Sequence, residues 1–180
     1  MDGGALQSEP GALVVAARSG DQRAFAALVE RHAGPLHRYL TAFGLDQHDA
    51  EDVVQDTFLR VHRHLGSYDP RWAFTTWLYT IARRLALSLR ERRRPSTGLD
   101  GIDEPLSRAP ASDQADGNVW SKARSILNER QFTALWLRYG EERELSEIAQ
   151  ILAITPENTR VLLHRARTTL AARLRPEDHP

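Results

Sequence analysis

The sequence contains no cysteine among its 180 residues, which excludes disulfide bonds, thiolate zinc sites and thiol-based redox sensing within the chain. It also lacks any apolar run approaching the roughly 20 residues that a transmembrane helix needs, so no membrane span is predicted. The amino terminus begins Met1, Asp2, Gly3 and Gly4, without the basic region and apolar core of an export signal. We therefore expect a protein that remains in the cytoplasm.

The formal net charge is zero because 24 basic residues balance 24 acidic ones, but the charges are segregated along the chain. One acidic block contains Asp46, Asp49, Glu51, Asp52 and Asp56. A first basic block contains Arg83, Arg84, Arg90, Arg92, Arg93 and Arg94, and a second contains Arg160, Arg165, Arg167, Arg173 and Arg175. Two basic blocks far apart in the sequence are typical of a protein that contacts one polyanion twice.

Length and composition indicate two small domains. Between residues 95 and 119 the chain is rich in Pro, Gly, Ser, Ala and Asp and has too few apolar residues to form a buried face, which predicts a flexible acidic linker. Fully extended, this linker would reach roughly 80 Å at about 3.3 Å per residue. We expect a partly disordered amino-terminal tail over residues 1–20, a first domain over 21–94 and a second over 120–175.

Every strongly patterned segment outside the linker has a helical period, so the predicted fold class is all-α. A first helix is expected from Gln22 to about Ala33 with Asp21 as its N-cap, and a second helix after Pro35. The inner face of the first helix is predicted to contain Phe25, Leu28 and Val29. A third helix, near residues 49–65, has a predicted core stripe of Ala50, Val53, Val54, Thr57, Phe58, Val61 and Leu65.

The opposite side of the third helix is polar except for one leucine. This side contains Asp52, Gln55, Asp56, Leu59 and Arg63. An acidic face of this kind suits a basic protein partner. The alternative interpretation is a solvated acidic face, stabilised by the helix dipole and carrying one unremarkable exposed leucine.

An aromatic-rich corner follows the third helix, and a fourth helix is expected from about residue 75 to 94. The corner and the start of this helix contain Tyr68, Trp72, Phe74 and Trp77. Trp77 lies off the predicted apolar stripe, which consists of Leu78, Ile81, Ala82, Leu85 and Leu89. Bases stack on aromatic rings and phosphates pair with guanidinium groups, so the combination predicts single-stranded nucleic-acid binding. The alternative is burial of the rings at a domain corner.

The carboxy-terminal pattern predicts a helix-turn-helix. One helix ends near Gly140, a short helix is expected over residues 146–152, and a third begins at Thr155 with Pro156 in its first turn. Along the third helix the predicted inward residues are Thr159, Leu163, Ala166, Leu170 and Leu174, and the outward ones are Glu157, Asn158, Arg160, Val161, His164, Arg165 and Arg167. Arginine and asparagine can read base edges in a major groove. The alternative is a charged helix of an ordinary bundle.

Three motifs together resemble the extracytoplasmic-function (ECF) sigma factors, the compact bacterial type of the sigma-70 family. They are the runs Asp49 to Leu59, Phe74 to Arg83 and Leu163 to Arg167, in this order and spacing. The resemblance covers about residues 22–94 and 120–174. It implies a dissociable specificity subunit of bacterial RNA polymerase that needs no cofactor and performs no catalysis itself.

The resemblance also implies roles for particular residues and partners. Core polymerase would bind Asp52, Gln55, Asp56 and Leu59. The melted −10 element of promoter DNA would bind Tyr68, Trp72, Phe74, Trp77, Arg83, Arg84 and Arg92, and the duplex −35 element would bind Thr155, Asn158, Arg160, Val161, His164, Arg165 and Arg167. The family further implies an anti-sigma factor that keeps the protein silent.

Two other functions are compatible with parts of the sequence. A helix-turn-helix transcriptional regulator would use only the carboxy-terminal domain, with a protein or ligand bound to the first domain, and would leave the aromatic corner unexplained. A metal-dependent hydrolase would need His48, Asp49, Glu51 and Asp52 to converge on one ion, yet consecutive helical positions point in different directions.

Overall fold

The computed structural model describes residues 10–93 and 119–174, and within these ranges the regular structure is helical, which confirms the all-α prediction. The helices are α1 Pro10–Arg18, α2 Gln22–Phe43, α3 Gln47–His64, α4 Phe74–Arg93, α5 Val119–Ile126, α6 Glu129–Leu135, α7 Leu145–Leu152 and α8 Pro156–Leu174. A short 3₁₀ turn, Leu65–Ser67, follows α3, and a π-helical turn, Trp136–Gly140, follows α6.

Helix α1 lies within the segment that the sequence indicated as a partly disordered tail. Its apolar side, formed by Leu13, Val14 and Ala17, is buried, and the helix packs mainly against α2. Burial of these side chains explains the order because it removes apolar surface from water. Residues 1–9 of the expected tail lie outside the described residues.

Helix α2 corrects the prediction of two helices separated near Pro35. It is one helix of 22 residues that includes Pro35. Asp21 caps its start, as predicted, and Gly44, whose φ of 110° is left-handed, caps its end. A proline inside a helix costs about 3 kcal/mol because it removes a hydrogen bond and crowds the preceding turn. Fully buried leucines on both sides of it, Leu28 and Leu36, keep the apolar face continuous, so tertiary packing offsets that cost.

The predicted stripe of α3 is confirmed at six of its positions, which are buried in the structure: Ala50, Val53, Thr57, Phe58, Val61 and Leu65. Asp49, which the sequence analysis grouped with the other acids of the acidic block, is buried as well. Its carboxylate bonds to both terminal nitrogens of Arg93, with 2.6 Å between Oδ1 and Nη2. Asp49 therefore joins the start of α3 to the end of α4.

The predicted helix-turn-helix is present as α7 and α8. Ala153 adopts a left-handed φ of 53° at the end of α7, and the Thr155 side-chain oxygen accepts a 3.2 Å hydrogen bond from the Asn158 amide at the start of α8. Thr159, Leu163 and Ala166 are buried as expected. Leu174, the last residue of α8, was predicted to face inward but is 41% exposed.

The two predicted domains are in direct contact. Helix α4 packs against α7, and α2 packs against α5 and α6. Buried side chains from both halves form one continuous hydrophobic core, in which the Tyr39 and Trp136 rings are 6.4 Å apart. The predicted linker lies outside the described residues except for Val119, which begins α5.

Candidate nucleic-acid and protein interfaces

The acidic face of α3 is exposed, as its polar sequence suggests. Asp52, Gln55, Asp56 and Leu59 all lie on the solvent side of the helix, and Leu59 is 47% exposed. Asp52 lies 3.7 Å from His48, one turn earlier, and both side chains are largely exposed. Because exposed pairs of this kind contribute little to stability, these acids remain available to a basic partner.

Beside this face, α2 and α3 border an open apolar groove of about 800 Å³. Its lining includes Phe25, Val29, Val54, Phe58 and Leu59, with Gln55 and Glu51 among its polar residues. Leu59 is therefore part of an apolar surface and is not an isolated side chain. The sequence missed this groove because Phe25, Val29 and Val54 were predicted to be core residues, whereas each is only half-buried.

The aromatic corner divides into buried and accessible rings. Tyr68 is 9% exposed and Phe74 is 4% exposed, so both belong to the core, as the burial alternative expects. The Tyr68 hydroxyl donates a hydrogen bond to the carbonyl of Trp72 and thereby closes the corner. Burial and the nearby charge of Asp69 raise the pKa of Tyr68. The Trp72 ring is 47% exposed.

Trp77 lies between these two groups. Its ring is half-buried and stands 5.3 Å from that of Tyr68 and 6.3 Å from that of Phe74. Tyr68 and Phe74 thus fix the orientation of Trp77, while Trp72 and the accessible part of Trp77 are the aromatic surfaces that a base could reach.

The arginines predicted to contact the −10 element differ in accessibility. Arg84 and Arg92 are exposed on α4, and the Arg92 side chain donates a 3.3 Å hydrogen bond to the carbonyl of Ser88. Arg83, in contrast, has a side chain only 13% exposed and is bonded to Glu129 of α6. In this conformation Arg84 and Arg92 present a positive surface, and Arg83 does not.

Helix α8 presents the predicted base-reading side chains to solvent. Asn158, Arg160, Val161, His164, Arg165 and Arg167 are all exposed, and so is Thr155 at the start of the helix. The Tyr139 hydroxyl lies 3.4 Å from Nη1 of Arg167, which donates to it. Arg160 is 4.0 Å from Glu157, a long contact between two exposed side chains. The helix is thus a basic, accessible surface of the size that enters a major groove.

Within residues 10–93 and 119–174, no three histidine or carboxylate side chains are grouped closely enough to hold a metal ion. Asp49, one of the four residues considered for a hydrolase site, is buried against Arg93. Among the helices of these same ranges, none combines the length and apolar character that crossing a bilayer requires.

An all-helical protein with an exposed basic helix-turn-helix and a separate surface of aromatic and arginine side chains defines a two-domain DNA-binding protein. Comparison with known families identifies its halves. Residues 28–95 match the family described as Sigma-70 region 2, and residues 125–172 match Sigma-70, region 4.

Relatives over nearly the whole chain support the same assignment. The chain is 33% identical over 177 residues to the RNA polymerase sigma factor CnrH of Cupriavidus metallidurans, covering 90% of this chain and 92% of CnrH. It is also 34% identical over 174 residues to the ECF sigma factor SigE of Mycolicibacterium smegmatis. That match covers 90% of this chain and 67% of SigE. The chain belongs to the sigma-70 family, in its ECF group, and is an RNA polymerase sigma factor.

A solved structure agrees in fold. The chain of CnrH in complex with the cytosolic domain of CnrY matches this structure with a TM-score of 0.74 and 27% sequence identity, covering 92% of this chain and 96% of that one. The similarity therefore extends across both regions and is not confined to one domain.

Proposed function

We propose that this chain acts in the cytoplasm as the subunit that places core RNA polymerase at particular promoters and helps to melt them, while polymerase supplies all of the chemistry. The observation that carries the proposal is the presence, in one chain and in family order, of region 2 with an exposed acidic face and region 4 with an exposed basic helix. Phosphate contacts would position the complex, and base contacts would give it specificity.

Core polymerase binds the acidic face of α3 together with the adjoining groove. Asp52, Gln55 and Asp56 supply charge and hydrogen bonds, and Leu59 supplies apolar contact at the edge of the groove. A basic amphipathic helix fits both parts, because its apolar stripe can fill the groove while its cations face the acids. The clamp helices of polymerase are the partner that we infer for this surface.

Leu59→Asp tests this docking surface. The variant should fold normally, because the side chain is exposed, and should no longer co-purify with core polymerase, because a carboxylate would be desolvated at the apolar edge. Val15→Asp is the matched control, since Val15 is also an exposed apolar residue but lies on α1. Normal co-purification of the Leu59 variant would reject the docking assignment.

The melted −10 strand binds the exposed side of the aromatic corner and the adjacent arginines of α4. Trp72 and Trp77 provide stacking surfaces, Arg84 and Arg92 provide phosphate contacts, and buried Tyr68 and Phe74 support the rings. Trp77→Ala should impair open-complex formation more than closed-complex binding. Equal permanganate reactivity of promoter thymines with and without this ring would reject the assignment.

The duplex −35 element binds α8. Arg160, Val161, His164 and Arg165 lie on its exposed side, and Thr155, Asn158 and Arg167 extend that surface toward both ends. Arginine pairs bidentately with guanine and asparagine with adenine, so these side chains can discriminate between base pairs. Footprinting of the upstream element with alanine variants at these positions tests this surface.

An anti-sigma factor is the further partner that we propose. The similar sigma factor CnrH has been solved in complex with the cytosolic domain of CnrY. Here the groove between α2 and α3 offers such a regulator an apolar surface that overlaps the docking site for polymerase. The alternative of a conventional transcriptional regulator is not favoured, because the match to region 2 accounts for the first domain.

A further inference from the structure

An ion pair between Arg83 and Glu129 connects the two domains. Arg83 is on α4 in region 2, and Glu129 is on α6 in region 4, 46 residues later in the chain. Nε of Arg83 lies 2.5 Å from one carboxylate oxygen of Glu129, and Nη2 lies 2.7 Å from the other. The side chains are only 13% and 20% exposed. This is a bidentate, largely desolvated pair.

Further polar contacts around this pair also cross between the domains. Thr133, one turn after Glu129, donates a 3.2 Å hydrogen bond to the same carboxylate, and its hydroxyl lies 3.1 Å from the hydroxyl of Tyr39 on α2. Separately, Nη1 of Arg143 donates a 3.1 Å hydrogen bond to Thr75 on α4. The interface is therefore a specific hydrogen-bonded contact and not only apolar packing.

The pKa of Arg83 reflects both its burial and its contact with Glu129. Burial opposes the charge on Arg83, but the hydrogen bonds and negative charge of Glu129 outweigh this and raise the pKa of Arg83. Burial, and then the nearby carboxylate of Glu129, raise the pKa of Tyr39. Arg83 is therefore fully charged and would be left as a poorly solvated cation if Glu129 were lost without a replacement anion.

The geometry of the pair is also that of phosphate recognition. Arginine binds carboxylates and phosphates through the same planar fork of N–H groups. Arg83 directs Nε and Nη2 at Glu129, so those two donors cannot reach a DNA phosphate while the pair is intact. The neighbouring Arg84 is exposed, as are the α3 docking face and the base-reading face of α8.

We propose that Glu129 occupies Arg83 in place of a promoter phosphate, and that this ion pair latches the two domains together until a nucleic-acid phosphate replaces the carboxylate. The proposal rests on the proposed function, because it assumes that Arg83 faces the melted −10 strand. Polymerase docking and duplex contact by α8 need no release of the latch, since both surfaces are exposed in the latched form. Capture of the single strand does need it.

The test uses the full chain, whose lack of cysteine permits two fluorophores to be attached at single introduced cysteines. Gln47→Cys on α3 and Ala171→Cys on α8 are exposed positions, one in each domain. Energy transfer between the dyes reports domain separation, and the affinity for a 12-nucleotide oligothymidylate reports single-strand capture. Glu129→Gln removes the charge with little change in shape, and Glu30→Gln is the matched control at an exposed glutamate of α2.

Glu129→Gln should lower energy transfer and tighten oligothymidylate binding on the order of tenfold, because the apparent affinity scales with the fraction of open protein. Arg83→Gln should lower energy transfer equally without tightening binding, since it opens the latch and removes the phosphate ligand together. Glu30→Gln should change neither quantity. Glu129→Asp keeps the charge but withdraws the carboxylate from Arg83. Its energy transfer and its affinity for oligothymidylate should lie between those of the parent and of Glu129→Gln, and this variant replaces Glu129→Gln in the test if the glutamine variant folds poorly.

If Arg83→Gln and Glu129→Gln both leave energy transfer unchanged, the ion pair does not hold the two domains together and the proposal is overturned. Opening without tighter binding in Glu129→Gln would overturn the competition between carboxylate and phosphate. Assembly of the parent chain with core polymerase is measured separately. This second assay distinguishes a failure of the latch from a failure of the proposed function. A parent that assembles normally while Glu129→Gln behaves like the parent would reject the latch alone.

Discussion

Asp49 and Asp52 are three residues apart in α3, but they differ in burial and in the roles that we assign to them. Asp49 is buried and bonds to Arg93, whereas the side chain of Asp52 is 61% exposed and belongs to the proposed docking face. Asp49→Asn removes the charge and leaves the Arg93 guanidinium facing a neutral amide. Hydrogen bonds to charged groups contribute about 1.5–3 kcal/mol, but Arg93 is largely exposed and partly screened, so we expect a loss of about 1–2 kcal/mol.

Thermal unfolding followed by circular dichroism measures this effect. At about 2–4 °C per kcal/mol for a chain of this size, Asp49→Asn should lower Tm by roughly 2–8 °C. The matched variant Asp52→Asn should stay within about 0.5 kcal/mol of the parent, as exposed substitutions do. In a binding assay below Tm the order should reverse, since Asp52→Asn weakens the affinity for core polymerase and Asp49→Asn leaves it intact.

Equal melting temperatures for the two variants would refute the structural role of Asp49. A greater loss of polymerase affinity in the Asp49 variant than in the Asp52 variant, measured on folded protein, would show that the two carboxylates had been given the wrong roles.

Three further predictions concern the corner, the core and the recognition helix. In urea titrations, Phe74→Ala should lower the free energy of unfolding by about 3–5 kcal/mol, and Trp72→Ala should lower it by less than about 1 kcal/mol. Similar losses for the two variants would contradict the division into buried and exposed rings. Burial, together with two nearby arginines, lowers the pKa of His32 from 6.5 to about 4. The folded protein therefore holds His32 neutral, and its free energy of unfolding should fall by up to about 3 kcal/mol as the pH drops from 6.5 toward 4. His32→Leu should flatten this dependence, and a profile identical to the parent's would exclude His32 as its source. Arg165→Gln should weaken binding of the promoter duplex by about 1–3 kcal/mol and relax the base preference at one position of the −35 element, whereas an unchanged base preference would remove Arg165 from the base contacts.

Local sequence pattern predicted those features whose physics is local. The three-and-four spacing in α3 identified its buried residues, and Asp21 and Thr155 were recognisable helix starts because capping depends on a few adjacent groups. Pro35 misled the prediction since its helix-breaking tendency is also local. The packing that overrides it comes from residues distant in sequence.

The candidate site shows the same limit. Periodicity placed Phe25, Val29 and Val54 on inner faces, but it cannot show whether another helix covers them. Among the described residues no helix covers them fully, and they line the groove. Likewise, no local pattern relates Arg83 to Glu129, 46 residues away. The exposed face of α8 was predictable because a single helix determines it.

Run-off transcription measures whether this chain selects the sites at which polymerase begins. Purified chain is added to core RNA polymerase on genomic DNA fragments, and the start sites of run-off transcripts are mapped. We expect new start sites that require this chain and lie at a constant distance from shared −10 and −35 sequences. If the correctly folded chain neither binds core polymerase nor changes where transcription begins, this protein does not act as the promoter-selecting subunit.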